Sequence, residues 1–269
     1  MNAYKHGRHE HGQNFLIDPR VVETIIDLVS VPQGPIVEIG PGDGALTLPL
    51  QRLQRPLTAV EIDSRLATAL SNRVENRVQV VTADFLSYRL PRSAFVLVGN
   101  LPFHQTTSML RRVLRAPGWT DAVLLLQWEV ARRRAGVGGA TLMTAQWSPW
   151  FTFELHARVP ATAFRPRPSV DGGVLVLRRR AEPMLPTGQR TAFQHLVHRV
   201  FTGRGRGLAD ILCRAGAFAK TSDARRWLQA QGVSPIAVAK DLSGPQWVDL
   251  FCATGTSPPR QPRRSGRRR

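Results

Sequence analysis

Asn100, Leu101, Pro102 and Phe103 place an amide, a main-chain carbonyl, a rigid imino ring and an aromatic face in four consecutive positions. They follow directly on the apolar run 94–98 and Gly99, which reads as a buried parallel strand. The carboxyl end of such a strand is where an open α/β sheet places its ligands. Pro102 has no N–H and restricts Leu101 as well, so the loop is stiff and its carbonyl oxygens can face a cleft. The Asn100 amide oxygen and the Leu101 carbonyl are two acceptors, and Phe103 adds a stacking face. Together they fit an exocyclic amino group on a flat ring. A strand-to-loop turn with a buried phenylalanine would carry the same four letters, so the segments upstream must decide.

Three of those segments end in acids. IVEIGPGDGALTLPL, residues 36–50, is a short strand carrying Glu38, then the turn Gly40, Gly42, Gly44 and helix-forming residues. Glycines permit a tight turn and a close approach of backbone to ligand. The G-x-G-x-G spacing is neither the dinucleotide fingerprint nor a phosphate-binding loop with its Lys-Ser/Thr. The next apolar run, 57–63, ends in Glu61, where a βαβ unit sets an acid for ribose hydroxyls. Asp63 reads as the N-cap of the helix that follows. VQVVTADF, residues 78–85, puts Asp84 just past a third strand, within reach of an adenine amino group. Acids at three successive strand ends, followed by Asn100 at the fourth, form one ordered constellation.

Strands and helices must alternate to position it. Residues 19–29 have apolar helical spacing with Pro19 at the start, and a helix is expected near 105–115. Residues 121–127 read as a fifth buried strand and 129–136 as a helix ended by glycine. Residues 151–159 alternate like an antiparallel edge strand, and 172–180 supply a last strand. The order βαβαβαβαβ plus two strands predicts an α/β fold with a Rossmann-like, mostly parallel sheet and one antiparallel addition. Pro183 and Pro186 mark a linker. Short amphipathic helices follow it, at 193–201, 208–217, 223–232 and 245–253. The expected domains are therefore 1–180 (catalytic), 181–255 (small, all-helical) and an arginine-rich tail, 256–269, with no core former.

EIGPGDG, VEID, TADF and NLPF resemble the successive motifs of S-adenosylmethionine-dependent rRNA adenine N6-methyltransferases. HGQNFLID at 11–18 and FRPRPSVDGGVL at 164–175 strengthen the likeness. It covers residues 11–178 strongly and is most similar to the Erm branch, which acts on 23S rRNA and confers macrolide, lincosamide and streptogramin B resistance. The family often has tyrosine where this chain has Phe103; phenylalanine keeps the face and loses a hydroxyl. The resemblance implies a class I methyltransferase fold, S-adenosylmethionine as cofactor, S-adenosylhomocysteine as product, and no metal. It implies cofactor binding by Gln13, Asn14, Leu16, Glu38, Gly40, Gly42, Gly44, Glu61, Ile62, Asp84, Phe85 and Asn100. It implies that Asn100, Leu101, Pro102 and Phe103 form the catalytic segment, with Phe164 a second aromatic wall or a core aromatic. The sister branch dimethylates adenines of small-subunit 16S rRNA. Some relatives bind RNA without catalysis, and the intact EIGPGDG and NLPF argue against that reading here.

Charge agrees. Lys and Arg number 37 against 19 Asp and Glu, a formal +18, and nucleic acid is the commonest partner of such a chain. Arg132, Arg133 and Arg134, the run 178–180, and Arg204 and Arg206 are solvated surface or phosphate contacts, and several together are expected to contribute to RNA binding. No apolar run approaches the ~18 residues of a membrane span, and residues 1–12 lack a signal peptide's apolar core. The expectation is a cytoplasmic monomer that meets 23S rRNA before the ribosome is fully assembled, without membrane contact. Cys213 and Cys252 lack metal spacing, and His6, His9 and His11 read as a solvated arm.

Overall fold

A computed structural model describes residues 14–234 and 236–255. Its strands are β1 (Phe15–Leu16), β2 (Ile36–Ile39), β3 (Leu57–Glu61), β4 (Val78–Thr82), β5 (Phe95–Asn100), β6 (Trp119–Gln127), β7 (Phe151–Val159), β8 (Phe164–Arg165) and β9 (Gly172–Arg179). Its helices are α1 (Pro19–Ser30), α2 (Thr47–Leu50), α3 (Ser64–Ser71), α4 (Thr106–Arg115), α5 (Trp128–Arg134), α6 (Leu142–Trp147), α7 (Arg190–Thr202), α8 (Leu208–Arg214), α9 (Thr221–Ala230) and α10 (Gly244–Ala253).

Seven strands form one sheet in the order β4-β3-β2-β5-β6-β9-β7. The β2–β3, β2–β5, β3–β4 and β5–β6 pairs are parallel, and β9 joins β6 antiparallel. This is the class I methyltransferase arrangement expected from the sequence. All four residues of β2 and the first five of β5 are buried, as a parallel sheet covered on both faces requires. Strand order reverses between β2 and β5, so a crevice opens at their carboxyl ends. Gly99 lets these two strands meet: a Cβ there would lie 2.7 Å from the Ile39 carbonyl oxygen and 2.9 Å from the Ile39 Cβ.

The helices start where side chains can satisfy their first N–H groups. Asp18 caps α1 by accepting from Arg20 N at 2.9 Å, with Pro19 in the first turn. Asp63 accepts from Arg65 N at 2.8 Å and caps α3, the role read for it from sequence. α1 presents Ile25, Ile26 and Val29 to the sheet core.

Two features depart from the expected alternation. No helix separates β4 from β5. Asp84 instead folds the chain into a turn, its side chain accepting from Leu86 N and its carbonyl from Ser87 N and Tyr88 N, and Pro91 bars a helix soon after. The second departure is β1–β8, an antiparallel pair of two residues each that ties the amino-terminal segment to the chain before β9. Two-residue strands leave no periodicity to read.

The chain divides into two compact units. One holds the described residues up to Ala135 together with Thr152–Arg179; the other holds Gly136–Phe151 together with the described residues from Arg180. A boundary at 180 was expected, but residues 136–151 group with the helical unit. Aromatic packing accounts for it: Trp150 meets Phe193, and Phe193 meets Phe251, each at 5.6 Å between ring centroids. Gln146 and Gln194 exchange amide-to-carbonyl hydrogen bonds at 3.1 and 3.3 Å. α6, capped by Thr141, is too short for its pattern to stand out. Among the described residues no helix is long and apolar enough to cross a membrane.

Candidate active site

The carboxyl ends of β2, β3, β4 and β5 open onto one cleft of about 940 Å³, counted out to its mouth.

One wall is the turn after β2. Gly40 and Gly42 have φ of 61° and 59°, a left-handed backbone that favours glycine. A Cβ on Gly42 would sit 2.9 Å from a ring carbon of Phe15, so the β1 segment lies against the turn. A Cβ on Gly40 would meet nothing within 4 Å, and Gly40 lines the cleft. The turn is held by Glu61, which is 1% exposed. Its carboxylate accepts from Gly42 N and from Asp63 N, each at 2.9 Å. Each oxygen thus spends one acceptor direction on backbone and keeps another.

Glu38 lies beneath this turn, also 1% exposed, and accepts from the Thr47 hydroxyl at 2.7 Å. Burial pushes its carboxyl up to about 8; the Thr47 hydrogen bond opposes that rise and the neighbouring Glu61 charge adds to it. Asp84 uses one oxygen to accept from Leu86 N at 2.8 Å. Ile62 is 49% exposed although apolar, and it lines the cleft with the buried Phe85. Carboxylates at the strand ends, a flat apolar flank and an open glycine turn suit a polar nucleoside with a flexible tail.

The other wall is the segment after β5. Asn100 Nδ2 donates to the Asn14 carbonyl at 2.7 Å. That bond sets which end of the amide is which, and among the described residues no donor reaches Oδ1. Leu101 N donates to the Leu125 carbonyl at 3.0 Å, anchoring the Asn100–Leu101 peptide just before the Leu101 carbonyl. Phe103 lines the cleft and meets Phe164 edge-on, with centroids 6.3 Å apart and planes at 72°.

Asn14, Leu16, Glu38, Gly40, Gly42, Glu61, Ile62, Asp84, Phe85, Asn100, Leu101, Pro102 and Phe103 all line this cleft. Gly44 does not: it makes room for Leu70 and Leu48. Phe164, 2% exposed and part of the sheet core, supports Phe103 from behind and offers no free face to RNA. Gln13 and the tail 256–269 lie outside the described residues. Of the arginines, Arg133, Arg204 and Arg206 are exposed, whereas Arg132 pairs with Glu129 at 3.2 Å and Arg134 is half-buried. Sequence reading missed Phe15 as a lining residue. Its position beside Asn14 and Leu16 was the available signal. Among the described residues no group of three or more His, Cys, Asp or Glu could hold a metal.

The family model described as ribosomal RNA adenine dimethylase matches residues 4–254. The chain belongs to that family. Within it, a 61% identical relative is the rRNA adenine N-6-methyltransferase of Corynebacterium diphtheriae, aligned over 81% of this chain and 87% of that protein. The mycinamicin-resistance protein MyrB of Micromonospora griseorubida is 45% identical over 91% of this chain and 78% of its own length. The crystal structure of 23S rRNA methyltransferase ErmE superposes with a TM-score of 0.82, at 33% identity, covering 90% of this chain and all of that one. These relatives bear out the resemblance to the Erm branch. This member of the rRNA adenine dimethylase family is thus an rRNA adenine N6-methyltransferase, with the family's sheet and an added helical unit.

Proposed function

We propose that this chain transfers a methyl group from S-adenosylmethionine to N6 of one adenine in 23S rRNA, the modification that confers macrolide, lincosamide and streptogramin B resistance. The observation that carries the reading is Asn100. Its amide is oriented by the Asn14 carbonyl so that Oδ1 is left as an acceptor, beside the Leu101 carbonyl and Phe103.

The residues present suit the cofactor, because the glycine turn leaves open space at Gly40 and both strand-end acids keep unused acceptor directions. S-Adenosylmethionine, when bound, supplies an electrophilic methyl group on a sulfonium centre. Glu61 holds the ribose hydroxyls, Asp84 accepts from the cofactor's adenine amino group, and Ile62 and Phe85 flank that ring. Gly40 and Gly42 admit the methionine portion, with Asn14 and Leu16 on the amino-terminal side. The target adenine leaves its stack to enter the cleft, and Phe103 stacks on it, with Phe164 keeping the Phe103 ring in place. Asn100 Oδ1 and the Leu101 carbonyl accept from the adenine amino group, aim the nitrogen lone pair and stabilise the positive charge that grows on it. Alignment and electrostatics are sufficient; no strong base is called for.

The enzyme acts as a cytoplasmic monomer on 23S rRNA before ribosome assembly is complete, while the target can still be extruded. The exposed Arg133, Arg204 and Arg206 and the helical unit grip phosphates. Primer extension on both rRNAs from cells expressing the chain tests the reading. A stop at one adenine of 23S rRNA is expected; a stop in 16S rRNA, or none in either, overturns it.

Two further outcomes are expected. Glu61→Ala removes the ribose acceptors and also frees the N–H groups of Gly42 and Asp63. Cofactor affinity measured by calorimetry should fall by ~1–3 kcal/mol, the cost of charge-assisted hydrogen bonds, with RNA affinity nearly unchanged. Unaltered cofactor affinity would remove the ribose role. The tail 256–269 contains six arginines. Each phosphate contact on a single strand adds ~0.7 to the slope of log affinity against log salt. Deleting the tail should flatten that slope by about one to three units without changing which adenine is methylated. An unchanged slope across a salt series would show that the tail serves solubility alone.

A further inference from the structure

We propose that Glu38 senses the charge of the cofactor. It holds a proton in the free protein, releases it to solvent when S-adenosylmethionine binds, and regains one once the sulfonium has become a thioether. The proposal deepens the cofactor reading above and rests on it. Glu38, Asp43, Glu61 and Asp84 line the cleft together with His104, and none of the described lysines and arginines does, in a chain of formal charge +18.

Three of these acids have backbone donors or water. Glu61 accepts from Gly42 N and Asp63 N, Asp84 accepts from Leu86 N, and Asp43 is exposed. Glu38 has almost neither. It is 1% exposed, its Oε2 accepts from the Thr47 hydroxyl at 2.7 Å, and no described donor reaches Oε1. The adjoining elements bring no cation to it. Neither β5 nor α2 contains an ionisable residue, and β3 contributes the acid Glu61. A carboxyl buried beside a second acid, with one hydrogen bond, keeps its proton. Burial accordingly pushes Glu38 up to about 8, against the Thr47 hydrogen bond and with the help of Glu61.

A cation brought into the cleft would draw that proton off, and the strand register says where it must arrive. Glu38 pairs with Val98 and Ile39 with Gly99. Asn100 lies two residues past Val98, so the Glu38 and Asn100 side chains leave the same face of the sheet, with Cα atoms roughly 8 Å apart. Glu38 therefore lies under the proposed point of methyl transfer. S-Adenosylmethionine and S-adenosylhomocysteine differ there by one methyl group and one positive charge. Glu38 answers to that charge: ionised, it holds the substrate; protonated, it lets the product go. Transfer carries the positive charge to N6, which sheds a proton to solvent, and Glu38 takes up a proton from solvent.

The test uses the full chain. S-Adenosylmethionine and S-adenosylhomocysteine are each titrated by calorimetry in buffers of different ionisation enthalpy, which reads the protons released per ligand bound. Near pH 7 S-adenosylmethionine should release roughly 0.5–1 proton and S-adenosylhomocysteine close to none. Glu38→Gln should abolish the release. From pH 6 to 8 the affinity of the wild type for S-adenosylmethionine should rise, by up to about tenfold per pH unit, while that for S-adenosylhomocysteine stays flat. Thr47→Val keeps the carboxyl and removes the hydrogen bond that opposes its protonation. The pH at which the rise levels off should then move upward, which a purely structural Thr47–Glu38 contact would not bring about. Equal release with both ligands, release that persists in Glu38→Gln, a flat affinity for S-adenosylmethionine, or a Thr47→Val chain that levels off where the wild type does overturns the charge-sensing role and leaves the cofactor reading intact. A chain that binds neither ligand overturns both readings.

Discussion

Asn100→Ala is expected to slow methyl transfer by ~10²-fold or more while cofactor affinity changes little. The side chain does two things: it donates to the Asn14 carbonyl at 2.7 Å and presents Oδ1 to the cleft. Alanine removes the acceptor aimed at the nitrogen whose charge grows in the transition state, and loss of one such preorganised partner costs ~10²–10³-fold in turnover. Most of the proposed cofactor contacts come from the ends of β2, β3 and β4; alanine also gives up the hydrogen bond to the Asn14 carbonyl but sets no charge against it, so the amino-terminal segment is expected to stay in place. Calorimetry with the cofactor and turnover with a tritiated methyl group separate the two effects. Near wild-type turnover would end the role assigned to Asn100. Asn100→Asp gives a different signature. It keeps acceptor oxygens but loses the donor and sets a carboxylate against the Asn14 carbonyl. The segment that seats Phe15 on the glycine turn should loosen, so this variant should lose cofactor affinity along with turnover. The asparagine is needed here because it donates in one direction and accepts in the other.

The cleft was largely legible in the sequence because its residues stand at strand ends, and strand ends are marked. Glu61, Asp84 and Asn100 each follow an apolar run, and a parallel sheet brings the ends of successive runs to one edge. What escaped depended on contacts distant in sequence. Phe164 looked like a possible wall because it is aromatic and lies near the last strand; its burial behind Phe103 follows from the β1–β8 pairing, which two-residue strands do not announce. Residues 136–151 precede a strand of the sheet and were assigned to the catalytic domain. They group with the helices because Trp150 meets Phe193 and the Arg190 guanidinium lies over Trp147 and Trp150, and that preference shows only once α7 is beside them. Gly44 reads like Gly40 and Gly42 in the motif, but it serves packing against Leu70.

Glu38→Gln is expected to reverse a pH-dependent loss of stability. The Glu38 carboxyl is 1% exposed, and the Thr47 hydroxyl at 2.7 Å does not repay the loss of water, so burial pushes it up to about 8 from 4.5. Below pH 4.5 the group is protonated in both states and contributes no pH dependence. Between pH 4.5 and 8 the unfolded chain releases the proton while the folded chain keeps it, so stability falls steadily as pH rises through that window. Above 8 both forms are ionised and the fall stops. At 1.36 kcal/mol per unit the full excursion is on the order of 5 kcal/mol, large against the ~5–15 kcal/mol of a typical domain. Glutamine keeps an acceptor for Thr47, carries no charge and imitates the protonated acid. Urea unfolding of the wild type and Glu38→Gln should therefore coincide near pH 4.5 and separate as pH rises, with the variant several kcal/mol more stable at pH 8. Two curves that stay parallel from pH 5 to 8 would mean that Glu38 is already ionised in the folded protein. Charge at this buried position would then have to be balanced within the cleft rather than suppressed by burial.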